Sequence, residues 1–377
     1  MALIQYLTAV EFGAGALRQL PELLKARGVR RPLLVTDPGL AAGPLLPRVR
    51  EILGALAVTE YTGTPPNPDE EAVRGATRLY REGGCDGLVA FGGGSSIDLA
   101  KAVALLATQG GPLEKYAAIH GGQGRIAAGI APLIAVPTTA GTGSEVGRGA
   151  LITLGDGRKL GLISPHLIPV AALCDPELTL GLPAQLTAAT GMDAMTHCIE
   201  TFLSPSINPP ADAIALDGAA RAARWIEVAV RDGSNLEARW HMMMASLQGG
   251  LTFQKGLGAV HSMSHPLGGL RAVSLHHGTL NAVILPAVLR FNRSHAQAKF
   301  EQLARAMEVP AGQDLADFIT ALNARLGLPS SLREMGVTDA MVAQITDAAL
   351  ADHSSATNPR PLTRQDIHAL FADAMGR

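Results

Sequence analysis

The chain lacks the features that mark disulfide-stabilised, secreted or membrane-spanning proteins. Its three cysteines, Cys85, Cys174 and Cys198, are odd in number and widely spaced, which is not the pattern of a disulfide framework and fits a reducing cytoplasm. No apolar run approaches the ~20 residues of a membrane-spanning helix, and the N-terminus has no basic segment typical of a signal peptide. We therefore expect a cytoplasmic protein without a membrane partner.

Strong charge and aromatic side chains are also scarce. The formal net charge is -2 and no basic cluster stands out, which argues against nucleic acid as a partner. Aromatic residues make up only 4%, so no large aromatic platform for a ligand is evident. Hydrophobic residues make up 47% of the 377 residues, as expected of a globular protein with a large interior.

The first half alternates short apolar runs with helical segments. The runs predicted to be buried parallel strands are residues 31–37, 86–94 and 131–139. A helix is predicted over 95–107. Strands alternating with helices predict a doubly wound, Rossmann-like α/β domain.

The pattern changes after residues 174–183, beyond a predicted hairpin that still belongs to the first half. Residues 149–164 predict a hairpin around Gly155-Asp156-Gly157. From about residue 184 onward, Ala, Leu and Met recur at helical spacing and strand signals are scarce. We therefore expect an α/β domain over residues 1–180 and an all-α domain over 181–377.

Two glycine-rich loops each follow a predicted strand. "FGGGSSID" (91–98) lets the backbone approach a ligand, and the N–H groups at the start of the next helix favour an anion. Ser95 with Asp98 three residues later resembles a helix cap. The match to GxGxxG is poor, so a simple strand-to-helix turn remains an alternative.

The second loop, "PTTAGTGSE" (137–145), offers several hydroxyl groups and two glycines. Two such loops at the carboxyl ends of strands favour a ligand in the crevice there. Asp37 ends the strand of residues 31–37. It is either an acceptor for ribose hydroxyls that would repel a 2′-phosphate, or a capping residue before Pro38.

An Asp and a His interrupt an otherwise apolar helix, "GMDAMTHCIETF" (191–202). Asp193 and His197 are spaced i and i+4, so they lie on one helical face. Burying both requires compensation. Their partner is a hydrogen bond to each other, a distant Arg or Lys, or a metal ion.

Histidines are concentrated in residues 258–282. This stretch holds four of the chain's eleven, which are His261, His265, His276 and His277. His261 and His265 share a helical face, Pro266 and the following glycines are expected to break that helix, and His277-Gly278 is expected to open another. Two of these imidazoles with Asp193 and His197 make a three-nitrogen, one-oxygen set that suits Fe²⁺ or Zn²⁺ rather than Mg²⁺ or Ca²⁺.

The chain resembles the iron-containing (group III) alcohol dehydrogenases over nearly its whole length. The matching stretches, in family order, are "PPNP" (65–68), "FGGGSSIDLAK" (91–101), "PTTAGTGSE" (137–145), "DPELT" (175–179), "GMDAMTHCIE" (191–200) and "HSMSHPLGG...HHGTLNA" (261–282). The resemblance implies a dehydroquinate synthase-like architecture, with an NAD(P)-binding α/β domain and a helical metal-binding domain. It implies hydride transfer between NAD(H) and a small alcohol or aldehyde, with Fe²⁺ expected and Zn²⁺ able to bind the same donors. Family members are often dimers or larger homo-oligomers.

The resemblance also assigns residues. The metal ligands correspond to Asp193, His197, His261 and His277, and His265 takes the place of a non-ligand histidine beside the substrate, which would pass a proton. The nucleotide contacts correspond to Gly93, Gly94, Ser95, Thr138, Thr139, Thr142 and Lys159, with Asn67 and Asp98 near the cofactor. Asp37 matches the acidic position associated with NAD rather than NADP. Cys198, beside His197, is expected to pack rather than bind metal.

The substrate stays open at this point. The segment "GLRAVSLH" places Arg271 near the expected metal centre, where it is either a carboxylate anchor or an ordinary surface residue. A short aliphatic alcohol and a 4-hydroxybutyrate-like hydroxy acid are both compatible. Maleylacetate reductases share the scaffold without, we expect, the full metal set, and a dehydroquinate synthase-type lyase is a further alternative. A non-catalytic metal-binding or structural protein is the last alternative.

Overall fold

The computed structural model describes residues 4, 6, 8–270 and 272–377. The chain divides into two compact units. The sheet unit comprises Tyr6–Thr139 and Ser144–Thr179, and the helical unit comprises mainly Ala140–Gly143 and Leu180–Arg377. The short segment 140–143 thus groups with the second half of the chain.

The sheet unit contains eight strands and five α-helices among its described residues. The strands are β1 (Ala9–Phe12), β2 (Pro32–Val35), β3 (Thr59–Tyr61), β4 (Gly87–Gly92), β5 (Leu133–Pro137), β6 (Gly149–Thr153), β7 (Lys159–Ile163) and β8 (Ala171–Cys174). The helices are α1 (Leu20–Ala26), α2 (Pro38–Ala42), α3 (Leu45–Leu53), α4 (Glu70–Glu82) and α5 (Gly94–Gln109). Six strands form one parallel sheet in the order β1-β8-β5-β4-β2-β3, and β6 and β7 form the predicted antiparallel hairpin.

The central strands are apolar because helices cover both faces of the sheet. Along β4, Leu88 and Ala90 face the core formed with α4 and α5, whereas Val89 and Phe91 face the core formed with α1 and α3. All six residues of β4 are buried. The predicted α/β fold class and the three predicted strands are confirmed.

The order of the strands reverses at β2. Strand β3 lies on one side of β2, and β4 lies on the other, followed outward by β5. Ligands of open α/β sheets bind at the carboxyl ends of strands where the order reverses. Asp37, which follows β2, and the Gly92–Gly94 turn, which follows β4, lie at this point of the sheet.

Helix α5 holds the segment that leads into the hairpin. The Asp98 carboxylate accepts hydrogen bonds from the Ser144 hydroxyl (2.6 Å) and from the Leu151 N–H (2.9 Å). The buried Lys101 ammonium donates to Ser144 (2.9 Å) and to the Gly147 carbonyl (2.8 Å), and burial lowers its pKa to about 8. These two α5 side chains therefore hold residues 144–151, which connect the second glycine-rich loop to the hairpin strand β6.

The described part of the helical unit contains α-helices and no strand. The helices are α6 (Ala184–Leu203), α7 (Pro209–Arg231), α8 (Leu236–Leu251), α9 (Ala259–Gly268), α10 (His277–Asn292), α11 (Gln297–Ala306), α12 (Leu315–Arg325), α13 (Asp339–Ala351) and α14 (Arg364–Ala374). Helix α6 is central: it is buried from Thr187 to Leu203 and packs on α7, α8 and α10. Among the described residues, no helix combines the length and apolar character needed to cross a bilayer.

The helix break expected at Pro266 and the following glycines falls at the glycines. Helix α9 continues through Pro266 and ends at Gly268. A proline removes one backbone donor from a helix. Because Pro266 lies in the last turn, where the helix already tightens and ends, that loss is confined to the helix terminus.

Two glycines allow α8 to approach its neighbours closely. A Cβ atom on Gly250 would lie 2.4 Å from the Gly143 carbonyl oxygen, and one on Gly249 would lie 2.9 Å from the His197 Cβ. Gly143 itself has a φ of +61°, in the left-handed region that favours glycine. The 140–143 segment therefore packs directly on the backbone of α8.

We expect Gly250→Ala to destabilise the protein, although alanine favours helix by ~1 kcal/mol over glycine. The added methyl group meets backbone atoms of 140–143, which cannot rotate away, so the free energy of unfolding should fall by about 1–3 kcal/mol. Urea unfolding measures it. Gly181→Ala is the control, because a Cβ there meets nothing within 4 Å. Equal stability of both variants would contradict the close approach.

Candidate metal centre and nucleotide loop

Three helices bring four donor groups together. Asp193 and His197 come from α6, His261 from α9 and His277 from α10. The Nε2 atoms of His197, His261 and His277 lie 3.7, 3.9 and 3.7 Å from Asp193 Oδ1. All four donor atoms lie within 4.8 Å of one another, and all but His277 are buried. We call these residues the four-donor cluster.

Hydrogen bonds fix the orientation of two of the imidazoles. His197 Nδ1 lies 3.2 Å from the Gly141 carbonyl oxygen. Because a carbonyl only accepts, Nδ1 carries the proton and Nε2 keeps its lone pair. His261 Nδ1 lies 2.6 Å from Glu200 Oε2, and the other Glu200 oxygen accepts from the Val260 N–H at 2.7 Å. Both Nε2 atoms are thereby directed to Asp193 as acceptors.

The interior of the cluster has more acceptors than donors. Burial, reinforced by the neighbouring His197 and His265, lowers the pKa of His261 well below its usual value, so this imidazole is neutral. The Asn281 amide nitrogen lies 2.7 Å from Asp193 Oδ1 and 3.1 Å from the Nε2 atoms of both His261 and His277. An amide has only two hydrogens, so it cannot satisfy this set.

This donor set fits a divalent transition metal. Ligands about 2.1 Å from one tetrahedral ion stand about 3.4 Å apart, and the observed separations from Asp193 Oδ1 are 3.7–3.9 Å. Imidazole nitrogens with one carboxylate suit Fe²⁺ or Zn²⁺, whereas Mg²⁺ and Ca²⁺ prefer oxygen ligands. A cation would use the surplus acceptors that Asn281 leaves.

His265 lies beside the four-donor cluster. Its ring stacks on that of His277 with centroids 5.7 Å apart, and its Nδ1 lies 2.9 Å from Asp352 Oδ2. His276 instead caps α10, accepting from the Thr279 N–H at 3.4 Å. His265 is therefore placed next to the donors, whereas His276 serves the helix start.

Cys198 packs away from the donors. It is buried, and its Sγ lies 3.6 Å from the Ala245 carbonyl oxygen on α8. Burial raises the pKa of its thiol well above the usual range. A protonated thiol in a helix contact is a packing group rather than a metal ligand.

In the sheet unit, the start of α5 has no side-chain cap. Gly93, in an extended conformation, is the N-cap residue, and α5 begins at Gly94. The expected Ser95–Asp98 cap is wrong, because the helix starts one residue earlier and Ser95 lies within the first turn. The Ser95 hydroxyl donates to the Pro66 carbonyl instead.

The two loop segments of the sheet unit meet beside Gly93. A Cβ on Gly93 would lie 3.3 Å from Thr139 Oγ1. The N–H of the buried Thr138 donates to the Gly92 carbonyl at 3.1 Å. Glycine at 92–94 thus leaves room over the helix start, and Thr138 and Thr139 line it.

Asp37 fulfils the capping role. Its Oδ1 accepts from the Leu40 N–H at 3.0 Å at the start of α2. A Cβ on Gly92 would lie 3.5 Å from the other oxygen, so that oxygen faces the glycine turn. The cap and an acceptor for a ligand are therefore compatible in one side chain.

The other expected cofactor residues are distributed as follows. Lys159 on β7 donates to Asn67 Oδ1 at 2.9 Å, so two of the expected cofactor residues, 92 positions apart in sequence, are in contact. Thr142 is half-buried in the 140–143 segment, which groups with the helical unit. Arg271, the expected substrate residue, lies outside the described residues.

Sequence reasoning assigned no role to Glu200, Asn281 or Asp352. Glu200 lies three residues after His197 and Asn281 four after His277, so helical spacing places each beside a donor. That spacing was a usable signal. Asp352 lies 87 positions from His265, and no local pattern links the two.

Comparison with known proteins gives a consistent result. The family model described as iron-containing alcohol dehydrogenase matches residues 8–176, and that of the C-terminal part of the same family matches residues 187–375. A 4-hydroxybutyrate dehydrogenase from Cupriavidus necator is 55% identical over 100% of both chains.

Solved structures agree. A 1,3-propanediol oxidoreductase superposes with a TM-score of 0.92 at 36% identity, over 99% of this chain and 100% of the other. A sulfoacetaldehyde reductase from Bifidobacterium kashiwanohense, in complex with NAD⁺, superposes with a TM-score of 0.87 at 28% identity over 100% of both chains. The expected oxidoreductase activity on small alcohols or aldehydes is thereby confirmed, and membership implies a nicotinamide cofactor and a metal ion. The chain belongs to the iron-containing alcohol dehydrogenase family.

Proposed function

We propose that this enzyme uses NAD and Fe²⁺ to interconvert a short ω-hydroxy acid of the 4-hydroxybutyrate type and its semialdehyde. The observation that carries the substrate is the 55% identity, end to end, with a 4-hydroxybutyrate dehydrogenase. The location of Arg271 in the sequence supports it, because a guanidinium pairs well with a carboxylate. A general aliphatic alcohol dehydrogenase is the competing proposal, favoured by the likeness to a 1,3-propanediol oxidoreductase.

The proposed metal ligands are Asp193, His197, His261 and His277. Bound there, Fe²⁺ or Zn²⁺ supplies a Lewis acid that lowers the pKa of an alcohol hydroxyl. Glu200 and the Gly141 carbonyl hold two imidazoles with Nε2 directed inward. The residues are therefore oriented before any ion arrives.

His265 is the proposed proton carrier. Burial opposes ionisation of Asp352, but the adjacent His265 and His353 outweigh it and hold the pKa of Asp352 well below its usual range. The ionised carboxylate accepts from His265 Nδ1, which leaves Nε2 as the acceptor for a substrate proton.

The proposed nucleotide residues of the sheet unit cluster at the carboxyl ends of β2, β4 and β5. Gly93 and Gly94 open the helix start to a pyrophosphate. Asp37 would accept from the ribose hydroxyls and repel the 2′-phosphate of NADP. The remaining proposed contacts are Ser95, Asp98, Thr138, Thr139, Asn67 and Lys159. Thr142 is assigned by the family resemblance alone. The proposed homo-oligomeric state rests on the family, and the proposed cytoplasmic location rests on the family and on cysteine usage.

Asp193→Asn is expected to lose metal and turnover together, because a neutral amide replaces the only anionic donor. Metal content after equilibrium dialysis should fall by at least about 10-fold. Thr196→Val on the same helix is the matched control: its hydroxyl donates to the Met192 carbonyl of that helix, and the variant should keep both metal and turnover. A fully metallated, active Asp193→Asn enzyme would sink the ligand assignment.

Asp37→Ser is expected to shift cofactor preference toward NADP. Serine retains an oxygen for the cap of α2 but removes the charge that repels a 2′-phosphate. The ratio of kcat/KM for NADP⁺ and NAD⁺ should rise by about 10-fold or more, equal to ~1.4 kcal/mol. Asp314→Ser changes another capping aspartate and should leave the ratio unchanged. An unchanged ratio in both variants would remove Asp37 from the nucleotide site.

Succinic semialdehyde is expected to be reduced in preference to butanal, which has the same chain length without the carboxylate. Arg271→Gln should lower kcat/KM for the semialdehyde by about 10–100-fold, the value of a charge-assisted hydrogen bond, and leave butanal unaffected. Arg305→Gln, at an exposed arginine, is the control. A preference for butanal, unchanged by Arg271→Gln, would favour the general alcohol dehydrogenase.

A further inference from the structure

A second group of metal-binding side chains adjoins the first. His265 Nδ1 lies 2.9 Å from Asp352 Oδ2, and His353 Nδ1 lies 3.5 Å from Asp352 Oδ1. The two imidazole rings are stacked, with centroids 5.7 Å apart and planes inclined by 16°. One donor atom from each residue lies within 4.8 Å of the others. We call this group the His265–Asp352–His353 cluster.

The cluster is built on a fixed support. His265 belongs to α9, whereas Asp352 and His353 follow α13, and these two helices pack together. The Ser354 N–H donates to Asp352 Oδ1 at 2.8 Å, and the Ser355 hydroxyl donates to the Asp352 carbonyl at 2.7 Å. The carboxylate is thus held between the two imidazoles by its own backbone surroundings.

The cluster also has a path to solvent. The exposed fraction of the side chain rises from 4% at His265 through 14% at Asp352 to 41% at His353. An ion can enter at His353 and keep water as its remaining ligand. Two imidazoles and an ionised carboxylate are a donor set that zinc commonly uses.

We propose that the His265–Asp352–His353 cluster is a second, weaker transition-metal site that binds Zn²⁺ and inhibits the enzyme when filled. The proposed zinc binding does not depend on the proposed function, whereas the proposed inhibition rests on that function. A zinc ion would replace the hydrogen that now lies between His265 Nδ1 and the carboxylate, and would use Nδ1 of His353 as a further ligand. The imidazole proton moves to Nε2, so no net proton is lost.

The inhibition follows from the shared residue. His265 serves the proposed reaction with Nε2 unprotonated, ready to accept a proton. With Nδ1 occupied by zinc and Nε2 protonated, it cannot accept one. Because His353 also helps to hold the pKa of Asp352 below its usual range, the zinc sensitivity of His353→Gln is measured relative to that variant's own turnover without excess zinc.

The first test measures zinc content, not turnover. In equilibrium dialysis against rising free Zn²⁺, the wild-type chain should bind about two ions, with distinct affinities. His353→Gln should keep the tighter ion and weaken the second by at least about 10-fold. Asp193→Asn should lose the tighter ion and keep the weaker. One ion in the wild type, or two unchanged in His353→Gln, overturns the proposal.

The second test follows activity of enzyme that holds one metal equivalent. Added Zn²⁺ should inhibit the wild type, and His353→Gln should require at least about 10-fold more zinc for the same inhibition. His295→Gln, at an exposed histidine elsewhere, should behave as wild type. Equal inhibition of all three overturns the inhibitory role. If the proposed function itself fails, turnover is absent, but the zinc-binding difference at His353 persists.

Discussion

The buried carboxylate of Asp193 is the constraint on which the helical unit depends. Three imidazole nitrogens from three helices surround it, and those of His197 and His261 present a lone pair, because the Nδ1 atom of each of these rings carries the proton. A buried anion facing acceptors is strongly unfavourable without a cation. The meeting of α6, α9 and α10 at this point fits a site that a metal ion would complete, and the Asn281 amide donates to Asp193 Oδ1.

The orientation of the imidazoles depends in turn on backbone packing some distance away. The Gly141 carbonyl fixes the proton on His197 Nδ1. That carbonyl is in reach because 140–143 lies against α8 at Gly250, where a Cβ atom would meet backbone at 2.4 Å. Gly250 is unfavourable in a helix by propensity. It nevertheless helps to set which ring nitrogen of His197 carries the proton, although the two residues are not hydrogen-bonded.

Periodicity and local spacing in the sequence were enough to predict the strands and the pairing of neighbouring residues on one helix. Apolar runs identified the strands, and i, i+4 spacing placed Asp193 beside His197. Local patterns were less informative where two structures share one signal: Ser95 resembles a cap, but the helix begins at Gly94, so the extended Gly93 is the N-cap residue. The role of Asp352 could not be predicted from the sequence, because its contact with His265 depends on the packing of α13 on α9. Glu200 was within reach of helical spacing.

In the described part of this unit, the buried Asp193 and Glu200 and the partly exposed Asp352 each adjoin imidazoles, and their roles differ with the atom each one faces. Glu200 and Asp352 face Nδ1 atoms, which donate, so each pair is satisfied within the protein. Burial raises the pKa of Glu200 to about 7, whereas two neighbouring histidines, one of them exposed, hold that of Asp352 below its usual range. Asp193 instead faces Nε2 atoms, of which those of His197 and His261 carry a lone pair. Carboxylates beside imidazoles thus serve as supports at Glu200 and Asp352 and as a proposed metal ligand at Asp193, and Asp352 also belongs to the proposed second zinc site.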